Sequence, residues 1–363
     1  MKKLLFVLAM VFCVMSSHSQ TVHDELAFHL TAYPTGDSLI DDKARSEIIA
    51  HTFIKSFPGK GKSGKVVLGY TKKKKPVEVY YFSGSSNKRA LIIGGMHGSE
   101  LSAIELAKQV IEILSRGSEP YYNVLVIPCL FPDNAEAARF DLKRNLINIG
   151  RYSNESTADP NRQMPALGQS FDPLTPYDFY GRMIENENQI LLKLIQQYRP
   201  SRIANLHAIR DLSKAGVYAD PRTDCKGIAL GFETDSSLAI TMAEQILLQG
   251  GNLPGNFSNT NTALYYKDPA IVPAGCLQER NTHGSQLPGN RGFGISLGGW
   301  ATTAVCDGKN DRAAIRVITV EFPGYKSLMH YTDQAGKLLY LNNLQLYAQA
   351  ITEVFLGNLL VEE

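Results

Sequence analysis

The sequence predicts an α/β fold, in which helices cover both faces of a sheet. Short apolar runs at residues 90–93 and 122–130 have the length and composition of buried strands. Residues 101–114 carry apolar side chains at helical spacing, and similar segments alternate with strand-like runs along the rest of the chain. Since no clear linker interrupts this alternation, we expect one α/β domain rather than two.

Each element follows from a local pattern. Residues 20–85 predict a lead-in that is helical at first and then forms a β-hairpin. Residues 134–180 have little periodicity and many Asn, Asp, Pro and Gly residues, and so long an irregular stretch inside a domain is usually functional. The remaining predictions are strands at residues 65–69, 76–82, 90–93, 122–130, 202–206 and 315–320, and helices at residues 101–114, 186–198, 238–248 and 335–356.

The first residues have the pattern of a secretory signal. Lys2 and Lys3 precede an apolar run at residues 4–15, and small residues follow it. The run is too short to span a bilayer, so we expect residues 1–19 to be removed and residues 20–363 to be exported to the periplasm or the extracellular space. We expect no stable membrane insertion and a monomer.

Composition narrows the class of protein. A hydrophobic fraction of 44% and a charged fraction of 20% are typical of a folded chain with a large core. Removal of the signal takes two lysines from 37 basic residues and leaves 35 acidic ones, so the mature chain is electrically neutral. Neutrality argues against nucleic acid as a partner. Of the cysteines that remain, we expect Cys129 to be buried and Cys276 to pair with Cys306.

Three strand-like runs lead directly into histidine or glutamate residues. The run at residues 90–93 is followed by His97 and Glu100, a later run by His207, and the last run by Glu321. Because neighbouring parallel strands bring their carboxyl ends to one edge of a sheet, these side chains can converge there. Two imidazoles and a carboxylate form the ligand set of a catalytic zinc site, and a further carboxylate can act as general base.

Each piece also has a plain structural interpretation. A single His-x-x-Glu pair is common by chance, a lone His207 is more often a core or loop residue, and Glu321 could cap or pair at a strand end. Their joint position at strand ends favours one zinc ion held by His97, Glu100 and His207. The irregular stretch adds several arginines, of which one could stabilise an oxyanion and another could hold a substrate carboxylate.

Four motifs in this order resemble the zinc carboxypeptidase family: GGMHGSE, DPNRQ, NLHA and TVEFPG, within residues 65–324. The resemblance implies a mixed, mostly parallel twisted sheet of about eight strands flanked by helices. It also implies that His97, Glu100 and His207 bind zinc, that Glu321 is the general base, and that the Asn-Arg pair of DPNRQ, residues 161–162, grips the substrate's carboxylate. The expected activity is hydrolysis of a peptide or amide bond next to a free carboxylate.

Two arginines are candidates for the residue that faces the oxyanion. PDNAEAARF resembles the family's NPDG-to-arginine stretch and indicates Arg139, although Asn134 replaces the usual glycine. Arg144 is the alternative, either as the oxyanion residue or as a substrate-binding one.

A further stretch indicates the substrate. GISLGGWATTA, residues 294–304, is similar to a segment of the bacterial branch that includes murein peptide amidases, which cut γ-D-glutamyl-diaminopimelate bonds. This similarity favours a peptidoglycan-derived peptide with a free carboxylate. Two alternatives remain: an N-acyl amino acid deacylase of the succinylglutamate desuccinylase or aspartoacylase type, and a non-catalytic metal-binding surface protein.

Overall fold

The structure is a computed structural model that describes residues 63–117, 119–141, 149–152, 158–231, 233–257 and 292–358. The predicted signal at residues 1–19 and the helical part of the lead-in lie outside the described residues. Arg144 and Cys276 lie outside them as well.

A seven-stranded sheet forms the centre of the described chain, in the order β1-β2-β4-β3-β5-β7-β6. β3 pairs in parallel with β4 and β5, and β5 pairs in parallel with β7, whereas the outer pairings are antiparallel. The strands are β1 (Ser63–Tyr70), β2 (Pro76–Phe82), β3 (Arg89–Ile93), β4 (Asn123–Ile127), β5 (Arg202–Ile209), β6 (Gly216–Asp220) and β7 (Arg316–Pro323). The predicted α/β class and the mixed sheet are confirmed, with a parallel centre and antiparallel edges.

Helices cover both faces of this sheet. They are α1 (Leu101–Arg116), α2 (Pro132–Asp141), α3 (Asn186–Tyr198), α4 (Glu233–Leu248), α5 (Pro254–Phe257), α6 (Leu297–Ala301) and α7 (Gln334–Gln349), which continues as a π-helical turn at Ala350–Phe355. Within the described part of the chain, none of these helices combines the length and the apolar character that crossing a bilayer requires.

Alternation along β5 and β7 divides the core into two layers. Leu206 and Val320 point into a layer built with α1, α4 and α7. Ile203 and Val317 point to the opposite face, into a layer built with α3 and with Trp300 of α6. Since successive strand residues point to opposite faces, His207 and Glu321 also lie on the α3–α6 face.

Four elements differ from the sequence prediction. β5 and β7 do not end before His207 and Glu321, because their pairing continues to Ile209 and Pro323. The sequence predicts irregular chain where helix α2 lies, because most apolar residues of α2 are alanines and do not form a strong apolar stripe. The helix begins at Pro132, and proline is favourable in the first helical turn. β6 is short and begins with glycine, so its sequence shows no clear strand pattern.

The predicted Cys276–Cys306 bridge is wrong, because Cys306 pairs with Cys225 at a Cα–Cα distance of 5.9 Å. A parallel bridge between Thr223 and Thr303 brings the two segments side by side, which residue spacing could not reveal. Cys129 is a free, partly buried thiol. Burial raises the pKa of Cys129 to about 12, so the thiol stays protonated near neutral pH.

Candidate metal centre

The loop after β3 holds two of the candidate ligands in a fixed position. Gly98 packs so tightly against the start of α2 that an added Cβ would lie 2.3 Å from the amide nitrogen of Ala135. A side chain at position 98 would therefore displace the loop. Because this loop bridges the end of β3 and the start of α1, it places His97 and Glu100 beside the carboxyl end of β5.

His97, Glu100 and His207 form the group that could hold a metal ion among the described residues, and their candidate ligand atoms lie within 4.8 Å of one another. Glu100 joins the two rings: its Oε1 lies 2.8 Å from Nδ1 of His97, and its Oε2 lies 3.0 Å from Nδ1 of His207. All three side chains are buried. Two imidazole nitrogens and a carboxylate oxygen suit zinc, so these residues fit the ion that the sequence implies.

Neighbouring groups orient these ligands. Nε2 of His97 lies 2.8 Å from Oδ1 of Asp159, and the amide of Ala208 donates to Oε2 of Glu100 at 3.1 Å. Nδ2 of Asn161 lies 3.4 Å from Nε2 of His207. Hydrogen bonds of this kind fix the ring orientation and strengthen the basicity of metal-binding histidines.

The electrostatics of the group favour a cation at its centre. Burial lowers the pKa of His97, but the charges of Glu100 and Asp159 outweigh burial and raise it to about 9. Burial raises the pKa of Glu100, yet the adjacent imidazoles His97 and His207 hold it well below its usual value. The pocket therefore stabilises positive charge between its carboxylates, which a divalent cation also requires.

Glu321 lies beside the candidate metal-binding group, on the neighbouring strand. It pairs in register with His207, and its side chain lies on the same face of the sheet. Parallel neighbours are about 5 Å apart, so the carboxylate borders the imidazole. Burial and the charge of Glu100 raise the pKa of Glu321, although the imidazoles act in the opposite direction. A carboxylate with a raised pKa accepts a proton more readily, as a general base must.

The DPNRQ motif forms a short 3-10 turn at Pro160–Arg162 next to the group. Asp159 caps this turn by accepting from the amide of Asn161, and it also contacts His97. Oδ1 of Asn161 accepts from the amide of Leu297 at 2.9 Å. The motif therefore links the predicted substrate-binding pair, residues 161–162, to the candidate metal-binding group and to α6.

The structure does not bring Arg139 into contact with this group. Arg139 lies exposed near the end of α2, and Arg144 lies outside the described residues. Instead, Nη1 of Arg151 donates to Oε1 of Glu100 at 2.9 Å, and Nη2 reaches Oδ2 of Asp159 at 3.4 Å. Arg151 therefore contacts the group directly, and its sequence signal was only its place in the arginine-bearing loop.

No protein-family model matches the sequence, and no curated protein matches it. Among solved structures, a metallo-carboxypeptidase from Burkholderia cenocepacia is 15% identical, covering 84% of this chain and 68% of that one, with a TM-score of 0.43.

Two further solved structures are similar in the same range. The murein-tripeptide amidase MpaA from Escherichia coli O157 is 16% identical, covering 82% of this chain and 94% of that one, with a TM-score of 0.39. Thrombin activatable fibrinolysis inhibitor is 12% identical, covering 90% of this chain and 80% of that one, with a TM-score of 0.46.

Proposed function

We propose that this protein is a zinc-dependent hydrolase that cleaves a peptide or amide bond next to a free carboxylate. One observation carries the proposal: the buried group of His97, Glu100 and His207 lies beside Glu321, which is aligned with His207 on the next strand. Ligands and base therefore share one face of the sheet at its carboxyl edge.

Each residue of the site has a defined task in this reaction. A bound zinc ion would polarise the carbonyl of the scissile bond and make a water molecule more acidic. Glu321 accepts a proton from the attacking water and passes it to the leaving amine, a transfer that its raised pKa favours. Asp159 and Asn161 hold the rings of His97 and His207 in place.

Two arginines supply positive charge on the same side of the site. Arg151 contacts Glu100 and Asp159, where it can stabilise negative charge that develops on the substrate carbonyl. Arg162 is next to Asn161 in the 3-10 turn, and its guanidinium can hold a substrate carboxylate with two parallel hydrogen bonds. The carboxylate fixes the substrate, so that the adjacent amide faces Glu321.

The proposed substrate is a short peptide with a free carboxylate, such as a peptidoglycan-derived one, outside the cytoplasm. The segment at residues 294–304, which resembles the murein peptide amidase branch, supports this choice. Its Leu297 donates to Asn161, and Ile295 pairs with Met164 just after the 3-10 turn. The signal-like residues 1–19 support export, and a monomer is sufficient because all the proposed site residues belong to one chain.

Metal analysis and hydrolysis assays test this proposal together. The purified chain is expected to hold one zinc ion and to cleave muropeptides or ordinary C-terminal peptides. Glu321→Gln should lower kcat by about three orders of magnitude while zinc stays bound, because it removes only the base. Glu233→Gln, an exposed residue at the start of α4, is the matched control and should retain full activity.

Other outcomes would contradict specific parts of the proposal. Faster hydrolysis of N-succinyl or N-acetyl amino acids than of any peptide would favour the deacylase alternative. Zinc binding without hydrolysis of either class, and with the same properties in Glu321→Gln, would favour the non-catalytic alternative.

A further inference from the structure

The side-chain amide of Asn161 is held at one end by the main chain of α6. Its Oδ1 accepts a hydrogen bond from the backbone amide of Leu297 at 2.9 Å, and its Nδ2 lies 3.4 Å from Nε2 of His207. A backbone amide can only donate, so the end of Asn161 that it faces must be the oxygen. The two N–H groups of Asn161 are therefore turned toward the candidate metal-binding group.

Contacts at both ends of α6 fix its position. The hydroxyl of Ser296 accepts from the amide of Gly299 at 3.0 Å and caps the start of the helix. Near its other end Trp300 is fully buried, and Nη2 of Arg312 donates to the Trp300 carbonyl at 2.8 Å. The Leu297 amide is therefore held in place by contacts outside the DPNRQ turn.

The main chain of Asn161 is fixed as well. Its amide donates to Oδ1 of Asp159 at 2.8 Å, and its carbonyl accepts from Nη1 of Arg162 at 2.7 Å. What remains to be set is the side-chain amide, which could exchange its oxygen and nitrogen ends by rotation. The exchanged orientation would place N–H against N–H and leave the Leu297 amide without its acceptor, which is unfavourable. Leu297 therefore selects one of the two orientations.

We propose that Leu297 is a positioning residue, whose backbone amide turns the N–H groups of Asn161 toward the carboxylate of the substrate. This inference rests on the proposed function, because it takes the carboxylate to lie at Asn161 and Arg162. Asn161 is partly exposed, so a ligand can reach it. A carboxylate offers acceptors only, whereas a carboxamide also carries donors, so this orientation favours a free carboxylate. The side chain of Leu297 has a separate role, since it is fully buried in the core.

Leu297→Pro removes the amide hydrogen and suits the local backbone. Leu297 is the first residue of α6, where proline is favourable. The preceding residue, Ser296, has φ −77° and ψ 161°, the extended conformation that is favoured before proline. Leu297→Ala is the matched control, because it also loses the buried leucine side chain but keeps the amide.

Paired substrates test the proposal in the full-length, zinc-loaded protein. Two peptides that differ only in ending with a carboxylate or with a carboxamide report how the carboxylate is recognised. Leu297→Pro should raise KM for the carboxylate peptide at least about tenfold relative to Leu297→Ala, as expected when a hydrogen bond to a charged group is lost, with a much smaller change in kcat. For the carboxamide peptide the KM values of the two variants should agree within about twofold.

The same comparison in Asn161→Ala protein shows whether the effect passes through Asn161. There Leu297→Pro and Leu297→Ala should have the same KM within about twofold, because the group that Leu297 orients is absent. Equal KM values of the two variants in the protein that retains Asn161 would overturn the role of Leu297. So would a difference that persists undiminished in Asn161→Ala.

A binding measurement separates this inference from the proposed function. Glu321→Gln lacks the proposed base, so calorimetric titration of this variant with the two peptides reports binding without turnover. No hydrolysis by the wild type, with a preference for the carboxylate peptide that Leu297→Ala retains and Leu297→Pro loses, would overturn the hydrolase and retain the role of Leu297. Hydrolysis with the same carboxylate preference in both variants would leave the hydrolase intact and overturn the role of Leu297.

Thermal unfolding and zinc content verify that Leu297→Pro is folded. If it is not, NMR of the Asn161 side-chain amide in Glu321→Gln provides the test, because its N–H groups face the ligand only in the orientation that Leu297 sets. Their signals should shift on addition of the carboxylate peptide and much less with the carboxamide peptide. Equal shifts with the two peptides, or none, would overturn the proposal.

Discussion

The two faces of the β5–β7 ladder differ sharply although the same strands build both. On one face Leu206 and Val320 are fully buried among α1, α4 and α7. On the other face the next residue of each strand, His207 or Glu321, belongs to the proposed site. Along each strand, one residue packs in the core and the next belongs to the proposed site. A shift of the strand by one residue would therefore exchange the two faces.

The contrast is confined to the carboxyl ends of the strands. Further back on the site face, Ile203 and Val317 are as apolar and as buried as the residues of the closed face. The site therefore occupies one end of a face whose remainder is ordinary core. Substitutions at neighbouring positions of one strand can test whether one face determines activity and the other determines stability.

The largest effect is expected from His207→Ala. The change removes one of the three proposed zinc ligands, so the protein should lose its zinc and kcat/KM should fall by about four orders of magnitude or more. Metal analysis after dialysis and kinetics with a peptide substrate measure both effects. Zinc at the wild-type level in this variant would contradict the assignment of His207 as a ligand.

Leu206→Ala, one position earlier, should have the opposite profile. Leu206 is fully buried on the closed face, so its truncation leaves a cavity and should lower the free energy of unfolding by about 3 kcal/mol. Zinc content and kcat/KM of the folded fraction should stay within about twofold of the wild type, because Leu206 points away from the site. Denaturant titration measures the stability. Loss of zinc as great as in His207→Ala would show that the two faces are not separable.

Arg151→Ala tests the arginine that the structure brings to the site. It should lower kcat by about a hundredfold, the usual effect of removing one group that stabilises an oxyanion. Arg139→Ala, on the exposed end of α2, is the matched control and should change kcat by less than about twofold. The reverse result would restore Arg139 to the role that the sequence analysis gave it.

The smallest effect is expected at a carboxylate that lies on the same face as the site but has no role in the proposed hydrolysis. Burial raises the pKa of Glu187 in α3 to about 7, with a further contribution from Glu185 and Asp133. Because the folded chain holds this proton more tightly than the unfolded chain, its contribution to stability is present below pH 4.5 and is lost as the pH rises to 7.

Glu187→Gln removes this titration. The free energy of unfolding of the variant minus that of the wild type should be about 2 kcal/mol larger at pH 8 than at pH 5. Denaturant titrations at the two pH values measure the difference, with the exposed Glu233→Gln as control. A difference that does not depend on pH would contradict the raised pKa of Glu187.

The fold class and the convergence of His97, Glu100 and His207 could be predicted from the sequence because both depend on strong local signals. Apolar runs and their periodicity identified the central strands. His97, Glu100 and His207 follow such runs, and parallel pairing brings them together whatever their separation in the chain. Glu321 was placed in the same way, although β7 extends beyond it.

Residues whose positions depend on loops were not predicted. Arg151 reaches Glu100 from an irregular stretch, whose path is fixed by tertiary contacts rather than by periodicity. The partner of Cys306 depends on how two loops lie side by side, and residue spacing carries no such information.

The order of the strands along the chain has a consequence for how the protein matures. β5 ends at Ile209, and β7, which carries Glu321, begins 107 positions later at Arg316. A chain made from its amino terminus contains all three candidate metal ligands well before its last strand. In the proposed function, the chain therefore contains its candidate zinc ligands before it contains its candidate base, and hydrolysis requires β7 to have joined the sheet.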